Sequence, residues 1–496
     1  MSVACGYGFT AVVREQGDLC AFGKGYLGQL GLGTNADELL PACVGGADEV
    51  FDGEAVVMVA AGYEHTACVT AKGTVWSWGF GHRGRLGHGD REPRQRPARI
   101  GKEMFGGSPA VMVACGSNHT LVLTALGCVW SCGCGLFGQL GHGDMADQLV
   151  LTLVAEERLR GALIVMVAAG GLHSVAVGVE GRVWTWGYGE DGQLGQNDEE
   201  HRLVPTLLVG EAFGGAAAVQ VSAGWRHTVA VTIEGALWVW GDGEYGQLGL
   251  GDKANRLAPM LVGAQVAFGG SEVVTVSCGS FHTLAVTKDG ALHTFGKGAH
   301  GALGHNDRHN RLVPTRIEPL HFANAHIVSA AAGTRHSTAV TKEGFLYTWG
   351  EAEGLGHADE QTKFVPTRIA ARLLDGARIG RCHHLPPTHA LAFAMGTHSR
   401  LGRSSAAATG AGAGDSRQRR SERQGDNGLD AADKGLDAPG LDAADKGKDC
   451  KCVTMPDELV QRVVEACASW PEGRAGELEG VVRLLGGGMM KVRGSR

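Results

Sequence analysis

The sequence lacks the features that would place it in a membrane or among helical enzymes. No apolar run approaches the roughly 18 residues of a transmembrane helix, so we expect no membrane association. Helical periodicity is absent from residues 1–396, which excludes an all-α or α/β fold there. Neither a P-loop nor a G-x-S-x-G stretch occurs. We therefore predict a protein that is not an enzyme and uses no cofactor.

The net charge indicates which class of partner to expect, and the cysteine content indicates the cellular compartment. A formal net charge of −7 provides no general attraction to nucleic acid, so we expect no direct nucleic-acid binding. The 13 cysteines are an odd number, scattered mainly over strand-like positions, and no signal-peptide pattern precedes them. This usage is typical of unpaired thiols in a reducing compartment. We expect an intracellular protein, cytoplasmic or nuclear.

Glycine is abundant, with 80 residues, and much of it belongs to a repeat of about 54 residues. The repeat is marked by a Gly, two variable residues, a His and then Thr or Ser. An earlier copy, Gly6-Tyr7-Gly8-Phe9-Thr10, carries Phe at the His position. The marker histidines are His65, His119, His173, His227, His282 and His336. Units of this size are too small to bury their own apolar faces, so we expect the copies to stack against one another.

Each repeat predicts about four short antiparallel strands. Val75-Trp76-Ser77-Trp78-Gly79 alternates with period two, and apolar runs such as residues 111–114 precede the markers. Lys72-Gly73 and Asp289-Gly290 stand where a tight turn needs a positive φ. Stretches of the form G-Q-L-G recur in register. A phosphate-binding loop would occur once, at the start of a helix, so we interpret these glycines as sites of backbone crowding.

Seven four-stranded units suit radial closure into a propeller, which leaves only short protected edges. The combination of G-x-x-H-T, W-x-W-G and G-Q-L-G-x-G-D resembles the regulator of chromosome condensation repeat over about residues 2–396. The resemblance implies an all-β, seven-bladed β-propeller, which we assign to residues 1–396. If blades run from the W-x-W strand to the next marker, the last ends within residues 379–393. Residues 3–13 are then a surplus half-repeat, and either end of the chain is able to complete the ring.

Histidine and cysteine are the residue types here that suggest a catalytic or metal-binding site, and we assign a structural role to both. A residue that recurs from repeat to repeat around a ring has a structural role in that ring. We therefore expect the marker histidines to be buried and bonded to backbone groups of a neighbouring strand. Cys128, Cys132 and Cys134 lie close together, but no second pair of ligands follows them. Cys132 also occupies a W-x-W position. We therefore predict no metal site.

The two variable residues inside each marker are where we expect function, because a rigid scaffold presents changeable side chains there. The resemblance places them on one face of the disc, where blades four to six share one sector. Aromatic residues beside arginine are typical of interface hot spots. A second interpretation, in which Trp225 and Phe281 pack over the central channel, stays open. The candidate partner-binding residues are Tyr63, Leu172, Trp225, Arg226, Phe281 and Arg335.

We predict a non-enzymatic interaction scaffold or regulatory propeller that binds a protein partner through this face. The founding member of the resembled family is a nucleotide exchange factor for the small GTPase Ran and binds nucleosomes. Exchange activity on a Ran-like GTPase, with chromatin association, is therefore the alternative. Exchange there depends on a protruding β-wedge, for which the even marker spacing leaves no room.

A photoreceptor function is less well supported by the residues. Plant UV-B photoreceptors, which the chain resembles distantly, carry G-W-R-H-T in three successive blades. Here only Trp225 matches, and Ser280 and Thr334 occupy the next two positions. Coupled indoles would need all three tryptophans, so we do not expect this function.

Composition changes abruptly after residue 396. Residues 397–453 contain mainly small and polar side chains, which predicts a disordered linker. Its basic cluster at residues 417–423 is a weak nuclear localisation signal, and Cys450-Lys451-Cys452 is a candidate for metal binding or oxidation. Residues 454–485 predict a short amphipathic helical segment and residues 486–496 a flexible tail. The repeat leaves the oligomeric state open.

Overall fold

A computed structural model describes residues 2–45, 50–159, 161–208, 212–263 and 267–370. These residues form seven antiparallel sheets of four strands, as the repeat predicts, and each sheet pairs its strands in chain order. The expected linker at 397–453, helical segment at 454–485, tail at 486–496 and completing residues 379–393 lie outside the described residues. Within the described ranges, no helix is long and apolar enough to cross a membrane.

The strands are short and regular, and they group into blades as follows. Blade one holds β1 Val3–Cys5, β2 Phe9–Val13, β3 Leu19–Gly23 and β4 Glu38–Cys43; blade two holds β5 Val56–Ala61, β6 His65–Thr70, β7 Val75–Gly79 and β8 Arg94–Ile100; blade three holds β9 Ala110–Cys115, β10 His119–Thr124, β11 Val129–Gly133 and β12 Gln148–Leu153. Blade four holds β13 Ile164–Ala169, β14 His173–Gly178, β15 Val183–Gly187 and β16 Arg202–Leu207; blade five holds β17 Ala218–Ala223, β18 His227–Thr232, β19 Leu237–Gly241 and β20 Arg256–Leu261. Blade six holds β21 Val273–Cys278, β22 His282–Thr287, β23 Leu292–Gly296 and β24 Arg311–Arg316; blade seven holds β25 Ile327–Ala332, β26 His336–Thr341, β27 Leu346–Gly350 and β28 Lys363–Arg368. Short 3₁₀ turns occur at Val50–Gly53, His82–Gly84, Lys102–Phe105, Glu156–Arg158, Pro319–Phe322 and Ala352–Gly354.

The first strand of every blade faces the ring axis. Neighbouring first strands pack against each other around the ring, from β1 against β5 to β25 against β1. The second strands are buried over their whole length, whereas the fourth strands form a partly exposed rim. The core therefore lies between adjacent blades, which is why no repeat is expected to fold by itself.

Residues 3–13 answer the question that the repeat left open about closure of the ring. They supply β1 and β2; β1 pairs with β2, β2 pairs with β3, and β3 pairs with β4. Blade one is thus one continuous segment and not a surplus half-repeat. His336 Nε2 of blade seven lies 3.0 Å from Thr10 Oγ1 of blade one. Residues 3–368 complete seven blades, and within the described part of the chain no strand is exchanged between blades.

In blades two, four, five and seven, the tryptophan at the second position of W-x-W joins the blade to a loop of the blade before it. The indole Nε1 of Trp240 is buried and donates to the carbonyl of Gln193 at 2.9 Å. Gly195 follows that glutamine in the G-Q-L-G stretch with a φ of 68°. A Cβ on Gly195 would stand 2.9 Å from the same indole nitrogen, so the predicted crowding is present. Equivalent bonds run from Trp78 to Gln29, from Trp186 to Gln139 and from Trp349 to Ala302.

The marker histidines join consecutive blades through side chains. His173 is fully buried, and its Nε2 lies 2.8 Å from Thr228 Oγ1 of the next blade. That hydroxyl donates its proton to the carbonyl of Gln193 at 2.8 Å, so it accepts its other bond from Nε2–H of His173. The sequence predicted backbone partners, but the partner is a hydroxyl. The remaining pairs are His65–Thr120, His119–Ser174, His227–Thr283, His282–Ser337 and His336–Thr10.

Strand geometry explains why His and Thr or Ser are adjacent in the marker. Successive side chains of a strand point to opposite faces, so His227 reaches the blade after it while Thr228 reaches the blade before it. The marker glycine makes room for the imidazole ring of the histidine, because a Cβ on Gly224 would stand 2.2 Å from His227 Cε1. Phe9 fills the corresponding place in blade one and interrupts the series of hydrogen bonds there.

A second set of histidines, to which the marker did not point, stabilises the loops between the third and fourth strands. His88 Nε2 lies 2.9 Å from Ser77 Oγ, whose proton goes to the carbonyl of Leu86 at 2.7 Å. The same bond recurs in His142–Ser131, His305–Thr294 and His357–Thr348. Each histidine thus ties its glycine-rich loop to the strand that precedes the loop.

Burial keeps the marker histidines neutral. It lowers the pKa of His119, His173, His227 and His282 from 6.5 to about 3 and that of His336 to about 4. The pKa of His65 is lowered well below its ordinary value for the same reason. The folded protein therefore binds fewer protons than the unfolded chain in acid. The stabilisation is fully present above about pH 6.5 and is lost as the pH falls toward 3.

We expect His173→Phe, which copies Phe9 of blade one, to make the protein less sensitive to acid. The lost hydrogen bond should lower the free energy of unfolding by about 1 kcal/mol at pH 7.5. The slope of that free energy between pH 6 and pH 4 should become shallower by up to about 1.4 kcal/mol per pH unit, because one titrating group is removed. Urea unfolding over a pH series measures both. Leu320→Ala, at a 70% exposed position, removes no titrating group and should leave the slope unchanged; an unchanged slope in His173→Phe would contradict the assignment.

Candidate functional site

The markers and the loops between third and fourth strands share one end of the ring, which we call the marker face. In an antiparallel blade, the turn after the first strand and the turn after the third lie at the same end of the sheet. The marker supplies two variable residues per blade. The loop supplies more, inside a frame of the form G-x-G-x-x-G that recurs with the repeat.

The first variable residue of each marker points toward the ring axis. Tyr63 stacks on Tyr7 with ring centroids 4.3 Å apart, and Trp225 approaches Tyr63 to 6.1 Å. Blades two and five lie on opposite sides of the ring, so these aromatic rings span the mouth of the central channel. Other residues at this position that line the channel are Ser117, Gly171, Ser280 and Thr334.

Trp225 and Tyr63 therefore pack over the channel, as the second interpretation of the marker residues describes for Trp225. Both side chains remain half-buried. The indole of Trp225 meets the phenol ring of Tyr63 and no second indole in the described contacts, because Ser280 and Thr334 occupy the following two markers.

The second variable residue turns outward, toward a loop of the marker face. Arg226 of blade five lies over Tyr188 of blade four, with its Cζ 5.6 Å from the ring centroid, and its Nη1 is 3.2 Å from Asp191 Oδ2. Burial raises the pKa of Asp191, and the nearby Arg226 cation opposes this effect. The Arg226 side chain keeps 40% of its surface exposed. Leu172 of blade four is half-buried, and its carbonyl accepts from Tyr188 N at 3.0 Å.

Phe281 belongs to a second aromatic–cation group, which we call the Lys297 clamp and define as Tyr245, Phe281 and Lys297. The rings of Phe281 and Tyr245 meet edge to face with centroids 5.4 Å apart. Lys297 Nζ lies 4.2 Å from the Tyr245 centroid and 5.1 Å from that of Phe281. All three side chains are half-buried, so each presents part of its surface to solvent.

Arg335 of blade seven lies near the stacked tyrosines. Its Cζ is 5.9 Å from the Tyr7 centroid, and its Nη1 is 3.3 Å from Glu351 Oε1. His300 Nδ1 approaches the same carboxylate to 3.4 Å. The hydrogen bond from His300, together with the charge of Arg335, lowers the pKa of Glu351. Arg335 is thus separated from Arg226 and belongs to the sector of blades seven and one.

Sequence reasoning missed the partners that the loops provide, chiefly Tyr188, Asp191, Tyr245 and Lys297. They occupy variable positions inside the G-x-G-x-x-G frame, as the candidate residues do inside the marker frame. The same signal would have found them, because a constant glycine frame around changing residues occurs in both places. From the sequence, we assign only the G-Q-L-G stretch, which begins at the last glycine of this frame, to backbone crowding.

The described residues contain no group of three His, Cys, Asp or Glu side chains placed to hold a metal ion. Cys132 fills the tryptophan position of blade three and is fully buried, and burial raises the pKa of its thiol. Its Sγ approaches the carbonyl of Arg85 to 3.6 Å. In the described structure this cysteine is therefore a core residue.

Comparison with known proteins agrees with this architecture. The family described as the RCC1-like domain matches residues 1–332. The chain belongs to the RCC1-like domain family. It is 38% identical to the ultraviolet-B receptor UVR8 of Arabidopsis thaliana over 70% of this chain and 78% of that receptor. The crystal structure of Prp20p from Saccharomyces cerevisiae covers 73% of this chain and 87% of its own, with 25% identity and a TM-score of 0.62.

A further relative is the human E3 ubiquitin-protein ligase HERC2, which is 32% identical over 75% of this chain. The match spans only 8% of that ligase. The similarity therefore concerns the propeller and not the ligase as a whole. The resemblance that the repeat indicated is confirmed, and so is the seven-bladed all-β fold.

We expect Tyr63→Ala to make the indole of this RCC1-like propeller's Trp225 more accessible, because the ring that packs on it is removed. Acrylamide quenching of tryptophan fluorescence should increase. The control is the same substitution in a Trp225→Phe background, where quenching should not change. Equal quenching of the wild type and Tyr63→Ala would rule out the contact across the channel.

Proposed function

We propose that this RCC1-like propeller is a non-enzymatic scaffold or regulatory protein that binds a protein partner through its marker face. The observation that carries the proposal is the separation of constant from variable residues. Marker histidines and the tryptophans that repeat with them are buried between blades, whereas the variable residues of markers and loops meet at one end of the ring. A rigid frame with changeable side chains at one end suits recognition better than reaction.

The composition of the marker face supports binding to a protein. Arg226 with Tyr188, and Lys297 with Tyr245 and Phe281, combine aromatic surface with positive charge, which is the composition of interface hot spots. Arg226 is already held by Asp191, so less conformational entropy is lost when a partner docks.

The relatives are consistent with a regulatory propeller. UVR8 is named as a receptor, and the structure of Prp20p is described together with its binding to Gsp1p and histones. These names state what the relatives do. They support the class of function, since one is named a receptor and the other is described by the proteins that it binds, and leave the partner of this chain to experiment.

We expect Arg226→Ala/Phe281→Ala to lose partners that co-purify with the full chain from its native cells. Both substitutions remove partly exposed side chains, so the protein should remain folded and its thermal midpoint should change little. Leu320→Ala is the matched control, because Leu320 is 70% exposed in the turn Pro319–Phe322 at the opposite end of the ring. Quantitative mass spectrometry compares the three. An unchanged partner set in the folded double variant would refute the proposal.

The likeness to Prp20p favours one other candidate, guanine-nucleotide exchange on a Ran-like small GTPase. We expect the chain to leave nucleotide release by such a GTPase within about twofold of its spontaneous rate, because no added hairpin projects from the described blades. Release of a fluorescent nucleotide from a panel of GTPases measures this. Acceleration of nucleotide release by about a hundredfold or more would show that the protein is an exchange factor and would contradict the scaffold proposal.

A further inference from the structure

Lys297 differs from the other cations at variable positions of the markers and G-x-G-x-x-G frames, because it has no carboxylate partner within the described residues. Every other Lys or Arg at a variable position of the markers and G-x-G-x-x-G frames lies within 4 Å of an acidic side chain. These pairs are Lys24–Glu353, Arg83–Asp147, Arg226–Asp191 and Arg335–Glu351. Within the described residues, Lys297 makes no ion pair and instead contacts two aromatic rings.

The two rings hold the ammonium group in place without neutralising it. A cation over an aromatic face is attracted by the ring quadrupole, but the charge stays available to an anion on its solvent side. Phe281 and Tyr245 meet edge to face, so Lys297 contacts two rings that also pack against each other. The clamp therefore offers a fixed positive charge beside half-buried apolar surface.

We infer that the Lys297 clamp recognises a segment of a partner protein in which an Asp or Glu stands next to a large apolar side chain. The carboxylate pairs with Lys297 Nζ, and the apolar side chain covers the exposed parts of Tyr245 and Phe281. This inference rests on the proposed function, since it names the chemistry of the partner at the marker face. The charge complementarity selects an acidic segment, because a basic one would bring like charges together.

The probe is a random peptide library displayed on phage and selected on the full-length chain. Selected sequences should be enriched in an Asp or Glu adjacent to Leu, Ile, Met or Phe. A synthetic peptide of the consensus sequence, measured by fluorescence anisotropy, should bind Lys297→Gln about tenfold more weakly than the wild type. Its affinity for the wild type should also fall as salt is raised.

Lys253→Gln is the matched control, because it removes the same charge from an exposed position in the third-to-fourth strand loop of blade five. It should bind the peptide within about twofold of the wild type. Lys297→Glu should reverse the selection toward Lys- and Arg-containing peptides. Thermal unfolding of each variant verifies the fold.

Selection of peptides without acidic enrichment, no enrichment at all, or equal binding by wild type and Lys297→Gln would overturn the inference. Self-association lost in Lys297→Gln without any acidic selection would overturn it too, since a second copy would then be the occupant. A different result would contradict the proposed function itself, namely native partners that still co-purify with the folded Arg226→Ala/Phe281→Ala variant. If those partners are lost there but persist in Lys297→Gln, the inference alone is wrong.

Discussion

The hydrogen bonds that pass from a histidine to a hydroxyl and on to a loop carbonyl determine how the blades are assembled. His173, Thr228 and the carbonyl of Gln193 show the pattern, and six of the seven blade junctions contain it. Each partner is buried, and a buried polar group without a bond costs about 1–3 kcal/mol. Neighbouring blades must therefore meet at one angle and one height, and a stack of equal angles closes into a ring. At the seventh junction Phe9 replaces the histidine, so apolar packing and the tryptophan bond of Trp78 hold blades one and two together there.

Because the hydrogen bonds of this frame run among its own residues, the remaining positions of the repeat are free to differ. The side chains at the two variable positions of the marker point in two directions. The first variable residue of the marker faces the axis, where Tyr63 and Trp225 cover the channel. The second faces the loops, where Arg226 and Phe281 join residues of the preceding blade. Residues of the proposed binding surface and residues that fill the channel are thus neighbours in the chain, which explains why the sequence alone left both interpretations open.

Strand assignment was predictable because period-two alternation and turn glycines are local signals, and their sevenfold recurrence made the blade count secure. Closure was not predictable. The choice between residues 3–13 and the far end of the chain depends on which segment pairs with β3, and strand pairing is not a local property. The histidine partner was missed for a similar reason: Thr228 is 55 residues from His173, and only the packing of adjacent blades brings them together.

The repeat by itself determined an all-β ring of seven blades, buried marker histidines and which positions of the marker vary, since each follows from patterns within about one repeat length. Only the tertiary structure decided which side chains meet. Trp225 reaches Tyr63 across the axis, and Lys297 reaches Tyr245 of another blade. Contacts of this kind depend on the curvature of the whole ring, which brings residues of different repeats to one end of the propeller. The physical reason is that a repeat specifies its own strands, whereas a face is made by all repeats together.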